Sequence, residues 1–171
     1  DRALKSSAAA WTSGQQPVIS LGFNDWSRTN LLTRVGVTVR NYSNVGKTYK
    51  VTYNFRYPND QALNALKISA PNQVFASANS AGSFGVNFTL KTENLLDWNN
   101  NAPNNAPNSG ANGANADALT LYELDGYVTL TNVADPNDTI HLPWQMLPRK
   151  AGEVSLDWKR GYVQTRNRGV G

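Results

Sequence analysis

A chain of 171 residues with 40% hydrophobic side chains can bury one good core, so a single domain is the expectation. The absence of cysteine excludes disulfides and thiolate metal sites, no apolar run approaches bilayer length, and Asp1-Arg2-Ala3-Leu4-Lys5 lacks the layout of a signal peptide, reading as the middle of a longer polypeptide. The net charge of +4 is concentrated late: acids and bases number ten each before Arg149, and from Arg149 onward six bases face Glu153 and Asp157, which suggests a solvated basic connector rather than a nucleic-acid arm.

In chain order, residues 1–16 read as a linker from an upstream domain, and Val18 to Phe23 as a first short strand. Val35, Val37 and Val39 then alternate with Arg34, Gly36, Thr38 and Arg40, before turn chemistry from Asn41 to Lys47. From Thr48 to Tyr57 every odd position is apolar or aromatic and every even one polar, the period of a half-buried antiparallel strand. The two runs make a hairpin or a short arch between sheets. Gln61 to Leu66 could form one turn of helix, and Leu66 to Ser69 and Gln73 to Ser77 are short strands separated by Pro71-Asn72.

Alternation returns at Phe84, Val86, Phe88 and Leu90, again at Val128 and Leu130, and finally at Ile140, Leu142 and Trp144. Between them, residues 99–115 contain eight asparagines with Ala, Pro, Gly and Ser, too little apolar area to offset the entropy of ordering, so a loop is expected. Val154 to Trp158 starts a new strand in the tail, and 151–171 reads as a linker and the start of a next module. Seven to eight short strands punctuated by Gly, Pro and Asn predict an all-β protein, an antiparallel β-sandwich spanning 17–150.

The search for chemistry is mostly negative. The sole histidine, His141, falls on the polar side of a strand, and no Gly-x-Ser-x-Gly turn presents a nucleophile, so no triad is expected. Glu123 and Asp125 share a strand face but read as surface charge rather than as an acid–base pair. Asp135-Pro136-Asn137-Asp138 reads as a hairpin turn, and neither it nor Asp97 with Asn99 and Asn100 has the spacing of a calcium loop. No catalytic residue, metal ligand or cofactor is expected on this chain.

Five tryptophans are the remaining signal. Trp144 belongs to a core pattern, whereas Trp11, Trp26, Trp98 and Trp158 are expected in loops or tails. There an aromatic ring packs on a neighbouring domain or stacks on a sugar. Trp26, Trp98 and Trp158 are accordingly the candidate binding residues. Asn41, Asn87 and Asn137 each begin an Asn-x-Ser/Thr triplet, a pattern that arises by chance in an Asn-rich chain.

Thr33 to Ser43 followed by Lys47 to Tyr53 resembles the paired second and third strands of the fibronectin type III-like domains that follow the catalytic domain of subtilisin-like serine proteases. Asp125-Gly126-Tyr127-Val128-Thr129-Leu130-Thr131 is similar to a later strand of that family. Ile140 to Lys150 resembles the Leu-Pro-Trp and Leu-Pro-Arg-Lys close of its large bacterial members. The likeness runs from Val18 to Lys150 and leaves out the N-terminal lead and the Asn-rich insertion. It implies an immunoglobulin/fibronectin III-like fold in a secreted or cell-surface bacterial protein. The domain would be non-catalytic, bracing a protease domain whose triad lies upstream, spacing modules and helping to bind protein substrate. Its partners would be that catalytic domain and the neighbouring modules, with neither nucleic acid nor membrane insertion involved. A glycan-binding or adhesive module is the alternative.

Overall fold

The computed structural model describes residues 7–26, 31–95, 122–150, 153–157 and 162–166. Strands β1 (Ala8–Thr12), β2 (Ile19–Trp26), β3 (Leu31–Asn41) and β4 (Lys47–Phe55) precede helix α1 (Pro58–Leu63). Strands β5 (Leu66–Ser69), β6 (Gln73–Ala76), β7 (Ala81–Leu90), β8 (Leu124–Asn132) and β9 (Thr139–Lys150) follow. Two sheets result, in the orders β1-β3-β7-β5 and β2-β9-β8-β4-β6, and a separate hairpin pairs β10 (Glu153–Asp157) with β11 (Tyr162–Arg166).

Alternation decides which side chains meet between the sheets. Val37, Val39, Val86, Phe88, Leu66 and Ile68 of the first sheet join Ile19, Tyr49, Val51, Val128, Leu130, Leu142 and Trp144 of the second in one cluster. Trp144 sits at the centre, 1% exposed, edge-on to Phe55 at 5.2 Å and tilted against Phe88 at 5.9 Å. Gly126 makes room for it. A Cβ at that position would lie 2.0 Å from the Asn54 backbone oxygen and 2.8 Å from Trp144 Cζ2. The expected sandwich is therefore present, with nine strands in its two sheets.

Several details differ from the sequence reading, each for a physical reason. Residues Ala8–Thr12, inside the expected N-terminal linker, form β1 and pair with Val37–Asn41 of β3, Trp11 lying opposite Thr38. A run of three alanines has no polar–apolar contrast, so alternation could not mark it. Strand β2 pairs with β9 in parallel, an exception to the antiparallel rule of the two sheets, because the chain crosses from one sheet to the other between β1 and β2. Tyr53, expected inside, is 44% exposed. Strand β6 pairs with β4 only from Lys47 to Lys50, leaving the rest of β4 at the sheet edge with β8 alone beside it.

The connections are held by short-range hydrogen bonds. Asn41, fully buried, donates from Nδ2 to the carbonyls of Val45, Ala76 and Ser77 at 2.7, 3.2 and 3.2 Å. Its Oδ1 accepts from the Ser43 backbone N–H and hydroxyl, so one side chain shapes the arch from β3 to β4 and ties it to the end of β6. Helix α1 begins at Pro58, where a missing N–H costs nothing, and stops at Asn64 in the left-handed region with φ 53°. That one turn falls three residues earlier than Gln61 to Leu66.

Candidate interaction surfaces

The outward side of the second sheet carries the exposed apolar side chains that a docking surface needs. Tyr127 of β8 lies opposite Pro143 of β9, and Leu147 of β9 lies opposite Phe23 of β2. Phe23 reaches this face through a bulge. The register shifts between Ser20 and Phe23, and Gly22 adopts φ 72°, so the odd-numbered Phe23 turns outward while Ile19 stays inside. The Arg149 guanidinium lies over the Phe23 ring at 5.9 Å, and His141 packs edge-on to Tyr127 at 6.1 Å with its Nδ1 3.2 Å from the Thr129 hydroxyl. Arg56 pairs with Asp125 at 3.3 Å beside them.

One end of the sandwich is closed by a polar clamp. Asp138 Oδ2 accepts from Lys47 Nζ at 2.6 Å, from Asn132 Nδ2 at 3.0 Å and from the Tyr49 hydroxyl at 3.3 Å, and Lys47 also donates to Ser7 Oγ. Burial would raise the Asp138 pKa, but the hydrogen bonds from Lys47 and Asn132, the Lys47 charge and the Tyr49 hydroxyl outweigh it and hold the carboxyl below its ordinary value. Burial, then the Asp138 charge and hydrogen bond, push the Tyr49 phenol well above its own. The clamp seals β4, the β8–β9 turn and the N-terminal lead together.

A groove of about 620 Å³ opens on the other side of the molecule, where the chain passes from β5 to β6. Arg34, Ser69, Gln73, Phe75, Phe84 and Asn87 are among its lining residues.

The structure describes only some of the residues singled out from sequence. Trp26 lies in β2 with its backbone opposite Lys150, and Trp11 lies in β1, so these two sit in strands rather than loops. The Trp26 side chain, Trp98, Trp158, the segment 99–115 and Asp97 lie outside the described residues. His141 is an exposed strand residue as expected, and Asp135 to Asp138 make the expected turn: the Asp138 N–H bonds the Asp135 carbonyl, and the Asn137 N–H bonds Asp135 Oδ1. Asn41 is fully buried and Asn87 lies in β7, whereas Asn137 is exposed on the turn. No group of three His, Cys, Asp or Glu side chains placed to hold a metal occurs among the described residues, nor does a helix long and apolar enough to cross a membrane.

Sequence reasoning missed Phe23 as a surface residue, although Gly22 inside an apolar run is the usual mark of a bulge. It missed the Lys47–Asp138 pair entirely, since the partners are 91 residues apart.

No family model matches this sequence, and neither does any curated protein. Solved structures with some likeness include a FixG-related protein from Vibrio parahaemolyticus, with a TM-score of 0.45, 10% identity, and coverage of 82% of this chain and 94% of that one. PapD-like domain 7 of human CEP192 gives 0.42 at 6% identity over 85% of each chain. The secreted serine protease VesC from Vibrio cholerae gives 0.40 at 6% identity, over 86% of this chain and 24% of that one. Such values say nothing of what this chain binds. Its class follows from its own strand order and two-layer core: an immunoglobulin-like β-sandwich.

Proposed function

We propose that this chain is a non-catalytic accessory domain of a secreted or cell-surface subtilisin-like serine protease, bracing the catalytic domain and spacing neighbouring modules. The sequence likeness supports this reading, since its motifs occupy β3, β4, β8 and β9, elements of one core. The observation that carries the role is the outward face of the second sheet, where two apolar pairs, Phe23 with Leu147 and Tyr127 with Pro143, stand on either side of the polar pair Asp125–Gln145, with Arg149 and Arg56 beside them, a mixed surface of the kind that packs against another folded surface. Trp26, Trp98 and Trp158 are assigned to the same contacts. The sandwich unit runs from about residue 17 to 150, with β1 added to it, and the segment from 151 onward leads to the next module. Protein substrate is the further partner.

The test is twofold. The reading frame around Asp1 and Gly171 should encode a subtilase catalytic domain upstream, and that catalytic domain should lose thermal stability when Phe23 and Tyr127 are changed to Ser in the full-length protein. Casein hydrolysis by the purified 171-residue chain, or unaltered melting of the double variant, defeats the assignment. The groove beside Arg34 favours a second reading, a glycan-binding or adhesive module.

A further inference from the structure

Strand β7 runs from Ala81 to Leu90, but β5 pairs only with its last four residues, Asn87 to Leu90. The chain leaves this sheet after Ser69, and the Asn72 carbonyl accepts from Val51 N–H of the second sheet at 2.8 Å. Pro71, which has no N–H for a ladder, sits at the crossing. A bay therefore opens between the first half of β7 and the segment 69–75, bounded by Ser83, Phe84, Gly85 and Asn87 on one side and by Ser69 to Phe75 on the other.

The chemistry of this bay is selective. Arg34 projects from β3 on the outward side of the sheet and lies across Gly85: a Cβ there would come within 2.5 Å of Arg34 Nε and 2.9 Å of Nη2. Glycine at that position lets the guanidinium rest flat at the mouth of the groove. Around it stand the amides of Asn87 and Gln73 and the hydroxyls of Ser69 and Ser83, and Phe75 borders the bay with its ring lying over Gly46. The register of β1, β3, β7 and β5 puts Arg34, Arg40 and Lys67 on the outward side of this sheet, and among the described residues no carboxylate shares it.

We propose that the bay beside Arg34 binds an acidic glycan of the uronic-acid type: the guanidinium forks the sugar carboxylate, and the amides and hydroxyls meet its hydroxyl groups. This deepens the glycan-binding reading and is independent of the protease one. An acidic peptide would satisfy Arg34 equally, but four neutral hydrogen-bonding side chains around one cation match a polyhydroxylated ligand better than a peptide edge. The neighbouring cations Arg40 and Lys67 extend the attraction to a polymer.

Affinity electrophoresis and calorimetry of the purified chain with polygalacturonate, dextran and polyglutamate test the assignment. Polygalacturonate should bind, and the two controls should not. Arg34→Ala should weaken binding about tenfold or more, and Arg34→Lys, which keeps the charge without the fork, should recover only part of it. Gly85→Ala, which keeps every charge and displaces the guanidinium, should weaken it too; melting temperatures of all three variants report folding. Equal binding of polyglutamate would assign the bay to acidic protein. Equal binding of dextran would leave a glycan module but overturn the role of Arg34, and wild-type affinity in Arg34→Ala and Gly85→Ala would overturn the site altogether.

Discussion

Replacing Asp138 with alanine removes one carboxylate oxygen that three donors share, and the cost can be bracketed from its surroundings. The Lys47 and Asp138 side chains are only 11% and 14% exposed, so the pair lies between two measured extremes. Exposed pairs contribute roughly 0.2–1 kcal/mol, whereas removing one partner of a fully buried pair costs about 3–5 kcal/mol. Here Lys47 keeps Ser7 Oγ but loses its counter-charge, and Asn132 Nδ2 and the Tyr49 hydroxyl lose an acceptor. About 2–3 kcal/mol follows, equivalent to a fall of about 5–10 °C in melting temperature for a chain of this size. The sign with pH is set by the depressed pKa of Asp138. Its contribution is complete above the unfolded carboxylate value and disappears as pH falls through the lower folded value. Thermal melts of wild type, Asp138→Ala, Lys47→Met and the double variant should show a gap that is flat from about pH 8 to 5 and closes below about pH 4. The gap should also survive about 0.5 M NaCl, because salt screens exposed pairs far more than buried ones. A difference under about 1 °C, or one abolished by salt, would show that the pair behaves as a surface contact and that the clamp does not hold this end of the sandwich.

Gly126→Ala should cost at least about 1–3 kcal/mol, read as a lower denaturation midpoint, because its methyl would meet the Asn54 backbone oxygen before it could settle against Trp144. Tyr49→Ser should destabilise by about 3 kcal/mol or more and Tyr53→Ser by less than about 1 kcal/mol, despite their identical place in the alternation; urea melts of both variants measure the contrast. Asp60 has a pKa raised by burial and then by the Asp125 charge, and its Oδ2 is buried without a partner. It therefore opposes folding at neutral pH and ceases to do so as pH falls through its folded value and it is protonated. Asp60→Asn should melt higher than wild type at pH 7, with the advantage shrinking toward pH 4, and a lower melting temperature at pH 7 would contradict this.

Period-two alternation is a local property, and it made most of the sandwich legible before any coordinates. Val37, Val39, Val86, Phe88, Val128, Leu142 and Trp144 all face the interior as their spacing requires. Turn residues were equally readable, because the preferences of Pro136 and Asn137 act within a few bonds. Strand β1 was not legible, since Ala8 to Ala10 carry no contrast that a core could select. Which sheet a strand joins, and how far its neighbour extends beside it, depend on chain crossings that spacing does not encode. For that reason only the tertiary structure separated buried Tyr49 from exposed Tyr53, turned Phe23 outward at the Gly22 bulge, and set Lys47 against Asp138. It also left Arg34 lying over Gly85 at an open bay, because β5 ends at Ser69 while β7 continues. A sequence determines the period of its side chains along a strand; contacts between distant strands arise only when the layers close and water is driven from between them.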